Sequence, residues 1–206
     1  MSYSGESIAP FFAIWIAPRD TIRQIIDSDP RRHVIAIAAL SGALSGLEGS
    51  WLGAMSEPHT VSALWPFLVA LKVALFAVWA IVGLYLAGWM ITVACRALGG
   101  VANSVQTRAA IAWASIPGIA ATGLGVIGLL AGIVTPHTLR PGAFSFPPEL
   151  AGLSAILGIW GLVLELKCVG EVNHFSAWRA LAAQLLLLLV LVTIAAVAIV
   201  LMHLNR

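Results

Sequence analysis

Three ionisable side chains lie within long apolar stretches, where a charge is out of place: Glu48, Lys72 and Glu165. A charge at the centre of a hydrocarbon layer costs about 2.5–3.5 kcal/mol on insertion scales, so such residues point to a pair, an ion path or a headgroup site. Ser41 and Ser45 share a helical face with Glu48 and add hydroxyls to the same stripe. The histidines His33, His59, His137, His174 and His203 are scattered, and no two have zinc-motif spacing, so no metal site is expected. GxSxG, HExxH, Walker A and GxGxxG motifs are all absent. Gly42-Ala-Leu-Ser-Gly46 misses the nucleophile pattern by one position and lacks its strand-to-helix setting. Neither catalysis nor a cofactor is therefore expected. Cys95 and Cys168 fall near helix ends on the reducing side of the membrane, and a disulfide is not expected.

The elements that must position these residues are membrane helices. Hydrophobic residues make up 60% of the chain and charged residues 10%, with mean hydropathy +0.98. Soluble domains carry roughly 25% charged residues. Five apolar runs, about 34–54, 67–95, 109–134, 150–166 and 181–202, reach or approach the length needed to cross a bilayer, about 20 residues for a core of roughly 30 Å. Backbone polar groups must be paired internally in hydrocarbon, so the runs are helices, and the fold class is an all-α bundle of five transmembrane helices. The second run is longer than required and should tilt or protrude. The expected division is a lead-in over residues 1–32 and a transmembrane domain over 33–206, with no room for a soluble domain.

Basic residues orient the bundle. Arg19, Arg23, Arg31, Arg32, Arg96, Arg108, Lys167 and Arg179 fall on one side of the runs, against Arg140 and Arg206 on the other. This positive-inside bias places the amino terminus in the cytoplasm and the carboxyl terminus outside. The net charge of +2 is too small to suggest nucleic acid.

The lead-in reads as a short interfacial amphipathic helix. Phe11, Phe12, Trp15 and Ile16 cluster before Pro18, and Ile22, Ile25 and Ile26 then lie opposite Arg19 and Arg23. Arg23 is spaced to pair with Asp27 at i,i+4, and Asp29-Pro30 should end the piece. Such a helix lies on the leaflet or packs on the bundle's own loops, and both readings stay open. Glu6 and the absence of Lys or Arg before Ile8 argue against a cleavable signal peptide.

Small residues make the clearest packing pattern. Ala39, Gly42, Gly46, Gly49 and Gly53 are spaced three, four, three, four, and Gly118, Ala121, Gly125, Gly128 and Gly132 repeat that spacing. These stripes let a second backbone approach closely, within the monomer or across a homodimer. A transporter could also use such smooth faces for sliding. Glu48 and Lys72 lie five or six residues from the outer ends of their helices, roughly 8 Å deep at 1.5 Å per residue. They are read as a structural ion pair, or alternatively as part of a polar pathway or headgroup site. Glu165 shares a face with Ser154, Gly158, Gly161 and Cys168, within reach of Arg96, Arg108 or Arg179. Pro117 should kink the third span by leaving the Trp113 carbonyl without its helical donor. The proline-rich stretch 135–148 should form an extended outer loop, and 98–106 a glycine-led inner turn.

Several stretches carry a resemblance. Trp15-Ile-Ala-Pro18-Arg-Asp-Thr21-Ile22 precedes Asp29-Pro30; Leu98-Gly99-Gly100 precedes Gln106 and Ile111-Ala-Trp113-Ala-Ser115-Ile-Pro117; Trp160-Gly161, Gly170 and Phe175-Ser176-Ala-Trp178-Arg179-Ala180 follow. In this order, with five spans, the chain resembles the Yip domain family of Ypt/Rab-interacting membrane proteins. Its compact form is similar to small bacterial members, which implies a bacterial inner (plasma) membrane. Eukaryotic members act with Rab-type GTPases in vesicle traffic and membrane shaping through a longer cytoplasmic region. With only about thirty residues before the first span, GTPase binding is not carried over. The resulting expectation is a non-catalytic protein that organises the bilayer or membrane partners, with a homo-oligomer among the partners considered. The alternative is an oligomeric small-solute or ion transporter, or a lipid-translocating protein, using Ser41, Ser45, Glu48, Lys72 and Glu165.

Tags at Met1 and Arg206 are expected in opposite compartments. An impermeant labelling reagent applied to intact cells should reach the second and not the first, and labelling of both would overturn the orientation.

Overall fold

The computed structural model describes residues 9–56, 63–131 and 148–204, and the regular elements among them are all α-helices. They are α1 (Ala9–Ile16), α2 (Pro18–Ser28), α3 (Val34–Ser56), α4 (Trp65–Ala97), α5 (Ser104–Ala114), α6 (Ile116–Leu130), α7 (Pro148–Val172) and α8 (Ala177–Leu204). Five candidate spans result, with α5 and α6 together forming the third. The expectations on His59, Gly132, His137, Arg140, Arg206 and the outer loop through residue 147 lie outside the described residues.

The lead-in is two helices rather than one. Pro18 has no N–H to continue α1 but suits the first turn of a new helix, so the chain breaks at Ala17 and restarts. α2 stops at Ser28, where Asp29 is extended ahead of Pro30. The third span also begins earlier than its apolar pattern suggests. Asn103 accepts from the backbone N–H groups of Val105 and Gln106, while Gln106 accepts from that of Asn103, completing a capping box that starts α5 at Ser104. The fourth span runs to Val172, well past Leu166, because the polar residues at its end have partners in neighbouring elements.

α3 and α4 form the most intimate pair. A methyl group on Gly42 would collide with the carbonyl of Phe76 and stand 2.7 Å from Cβ of Ala80. One on Gly46 would lie 3.0 Å from Cβ of Phe76 and from Cα of Val73. Glycine is required there because the α4 backbone occupies the space of a side chain. Gly53 and Gly118 open onto empty space, so these two members of the stripes make no comparable contact. The third span is divided at Ser115. Its N–H donates to the carbonyls of Ile111 (3.1 Å) and Ala112 (3.2 Å), and its Oγ donates to the latter at 2.7 Å. Pro117 follows in the first turn of α6, where its missing N–H leaves no gap.

The buried core gathers at the end of the bundle that carries α1 and α2. Ile14, Ile22, Cys95, Ala109, Trp113, Leu164, Cys168, Val169, Ala180 and Ala183 are almost wholly buried there. The far half of α8 is exposed on every side. Polar groups also join helices within this core. The Thr92 hydroxyl donates to the Gly88 carbonyl (2.6 Å) and meets the Thr107 hydroxyl at 2.9 Å, linking α4 to α5.

Gly42→Ala should lower thermal stability in detergent by about 1–3 kcal/mol, the usual range for forcing a group into a packed site. Gly53→Ala should leave stability unchanged or raise it, since alanine is the better helix former. Equal melting temperatures for Gly42→Ala and wild type, read by size-exclusion thermal challenge, would contradict the close approach.

Candidate functional site

Two places concentrate polar chemistry: the seat of the lead-in and the interior around Glu48.

At the first, α2 lies across the ends of α5 and α7. Ile22 and Ile25 point into the core, as does Ile14 from α1, while Phe12 and Ile16 face outward with 70% and 89% exposure. Thr21 caps its own turn by donating to Ala17 (2.8 Å), and the Cys168 thiol donates weakly to the Pro18 carbonyl (3.8 Å). Arg23 does not form the expected ion pair with Asp27. Its Nε and Nη2 both donate to Oε1 of Glu171, the Nε at 3.0 Å, fixing α2 to α7. The fork of donors lets one guanidinium grip a single carboxylate oxygen twice. That hydrogen bond first, and the Glu171 charge second, hold the Arg23 guanidinium above its ordinary pKa.

An aromatic group lies beneath the lead-in. Phe11 is 4.8 Å from Trp113 between ring centroids, and His33 meets Trp113 edge-on at 6.3 Å. His33 has φ of 59°, a left-handed conformation in which histidine is among the more tolerated residues. With Pro10, Thr21, Gln24, Ile25, Ser28 and Arg32, these rings line an open cavity of about 310 Å³. Sequence reading placed His33 only among scattered histidines and used Trp113 only as a landmark. The cue it lacked was that α1 folds back over the start of the third span.

In the interior, the expected residues do not converge. Glu48 and Gly49 are a third of a turn apart on α3 and face different neighbours. The Glu48 carboxylate reaches α6, with Oε1 2.5 Å from where a Cβ on Gly125 would stand. Lys72 approaches the Gly49 position instead, at 3.8 Å, and lies 5.9 Å from the Phe76 ring centroid. No ion pair joins Glu48 to Lys72. Around Glu48, Ala121, Thr122, Gly125, Ala151 and Ser154 line a cavity of about 180 Å³. Ser45 is exposed and donates to the Ser41 carbonyl (3.0 Å), so its hydroxyl proton is committed to its own helix. Glu165 is met by none of the expected arginines; Gln184 of α8 donates to its Oε1 at 2.9 Å. Arg108 instead lies over the Tyr85 ring at 4.3 Å and rests its stem on Gly88. Both cysteines are buried and free.

A family model for the Yip1 domain matches residues 12–199, from within α1 to near the end of α8. The chain belongs to the Yip1 domain family. It is an integral, multi-pass membrane protein of the Yip type. No curated protein and no solved structure matches it.

Several residues behind the resemblance have structural roles in this Yip1 domain. Gly99 adopts φ of 83°, which disfavours any side chain, and turns the chain out of α4. Gly100 lies against the carboxamide of buried Asn173 and would place a Cβ 2.9 Å from the Cys95 carbonyl. Asn173 bolts this turn to α7, accepting from the Ala102 N–H (3.3 Å) and donating to the Val169 carbonyl (2.9 Å). Gly170 leaves room for the Phe175 carbonyl, 2.9 Å from its absent Cβ, so that α8 can start tightly after α7.

Arg23→Glu should raise amide exchange across residues 18–28, because it sets two carboxylates together at the α2–α7 contact. The swap Arg23→Glu/Glu171→Arg should restore much of the protection. Exchange unaltered by the single change would show that the bridge does not hold α2.

Proposed function

We propose that this Yip1-domain protein is non-catalytic and organises the bilayer and its membrane partners through the α1–α2 lead-in. One observation carries the reading: α1 is apolar on both sides. Ile14 is fully buried against the bundle, while Phe12 and Ile16, one turn apart, stand out from it. α2 continues with exposed Arg19, Asp20 and Gln24 above a buried Ile22 and Ile25. An outward apolar pair beside an exposed polar helix suits the boundary between headgroups and acyl chains. Anchorage by Arg23 and Glu171 makes the lead-in a fixed wedge in one leaflet rather than a loosely tethered helix. In the orientation expected from the basic residues, that leaflet is the cytoplasmic one. The same exposed pair supports contact with other membrane proteins or with a second copy.

The transport alternative has one observation in its favour, the cavity around Glu48 with Thr122 and Ser154. Against it, Lys72, Ser45 and Glu165 engage other surroundings, and none of them lines the Glu48 cavity.

Reconstituted into liposomes, the wild type should remodel vesicles into narrower or tubular forms, seen by electron microscopy. Phe12→Ser/Ile16→Ser should lose most of that activity while remaining a folded, monodisperse bundle. Solute flux and lipid scrambling should match protein-free vesicles and be indifferent to Glu48→Gln. Remodelling that survives the double change would overturn the wedge, and a flux abolished by Glu48→Gln would establish transport in its place.

A further inference from the structure

We propose that the cavity beneath the lead-in is a binding site for a phosphate group, carried by a lipid headgroup or by a soluble phosphate ester. The inference is independent of the wedge, since Phe11, Gln24, Arg32 and His33 line the cavity and Phe12 and Ile16 do not.

Trp113 is 1% exposed, and its indole Nε1 is buried without a hydrogen-bond partner. An indole N–H can only donate. A buried donor left unmade is costly and uncommon, and a small movement of the neighbouring rings would open this one to an acceptor in the cavity. Trp113 lines the cavity of about 310 Å³, which falls at the small end of ligand sites, roughly 300–1,000 Å³.

The rest of the lining narrows the chemistry. Arg32 donates through Nε to Nε2 of His33 at 3.2 Å. An imidazole that accepts at Nε2 carries its proton on Nδ1, where it is a donor. Arg32 and Gln24 are themselves lining residues, and their side chains carry further N–H donors. Thr21 and Ser28 spend their hydroxyl protons on the carbonyls of Ala17 (2.8 Å) and Ile25 (3.1 Å). Among the described residues, no carboxylate lines the cavity. Several donors and the Arg32 cation, with no competing anion among the described residues, select an acceptor-rich, negatively charged group, and phosphate fits this better than a carboxamide or an ammonium. Phe11 and Ile25 provide an apolar side against which the carbon skeleton of an ester would rest.

Detergent-solubilised full-length protein would be titrated calorimetrically with three probes: dihexanoylphosphatidylglycerol, glycerol 3-phosphate and inorganic phosphate. At least one should bind saturably at one site per chain. Arg32→Gln should weaken it roughly tenfold, the scale of one charge-assisted hydrogen bond. Arg31→Gln, which removes an equal charge next door, should leave it unchanged. Trp113→Phe should weaken it several-fold, and ¹⁵N-labelled indole spectra should show one Trp resonance shifting on addition of the probe and missing from that variant. If Trp113→Phe does not fold, the contrast between Arg32 and Arg31 decides alone. Binding of the lipid probe only identifies a headgroup site, and binding of the soluble probes identifies a phosphate-ester site; both support the proposal. Absence of saturable binding for all three, or equal weakening by Arg31→Gln and Arg32→Gln, would overturn it.

Discussion

Two helices in hydrocarbon gain little from covering apolar side chains that lipid would cover equally well, so they must be held by dispersion at very short range. In this protein that requirement falls on α3 and α4. The Phe76 carbonyl and the Ala80 methyl occupy the places where Gly42 would otherwise carry a side chain. Because α3 is fixed against α4 along one face, its other faces are assigned as well. Glu48 is turned to α6, and the amino end of α3 presents His33 to Trp113. The geometry of both polar regions follows from that one contact.

The number of spans was legible because nothing else explains long apolar runs separated by basic turns. Which glycines pack was less so. Gly42 and Gly53 belong to the same stripe by spacing, yet of the two only Gly42 meets a backbone, and nothing lies within 4 Å of a Cβ on Gly53. The Glu48–Lys72 pair failed for a related reason. Equal depth says nothing of azimuth, and one residue along α3 separates a group facing α4 from one facing α6. The start of α5 was missed because its signal is polar: a capping box written by Asn103 and Gln106, which apolar periodicity does not detect.

The lead-in posed a question that sequence left open, between lipid and protein as its support. α2 rests on protein, with Ile22 and Ile25 in the core and Arg23 on Glu171. α1 has a face for each, since an all-apolar helix carries no polar side to decide the matter. The Trp113 cavity was invisible for a different reason. It is assembled from α1, α2 and the turn before α3, which are consecutive, and from the distant α5, and no local pattern announces that meeting.

α8 is held mainly where it begins, at Ala180 and Ala183, and then runs on exposed on every side. Its 28 residues make a rod of roughly 42 Å at 1.5 Å per residue, longer than a hydrocarbon layer of about 30 Å. A rod clamped at one end and overlong at the other answers a change in bilayer thickness by leaning about its clamp. Thinner and thicker membranes are then accommodated by one helix, and the packed end of the molecule keeps its shape in both.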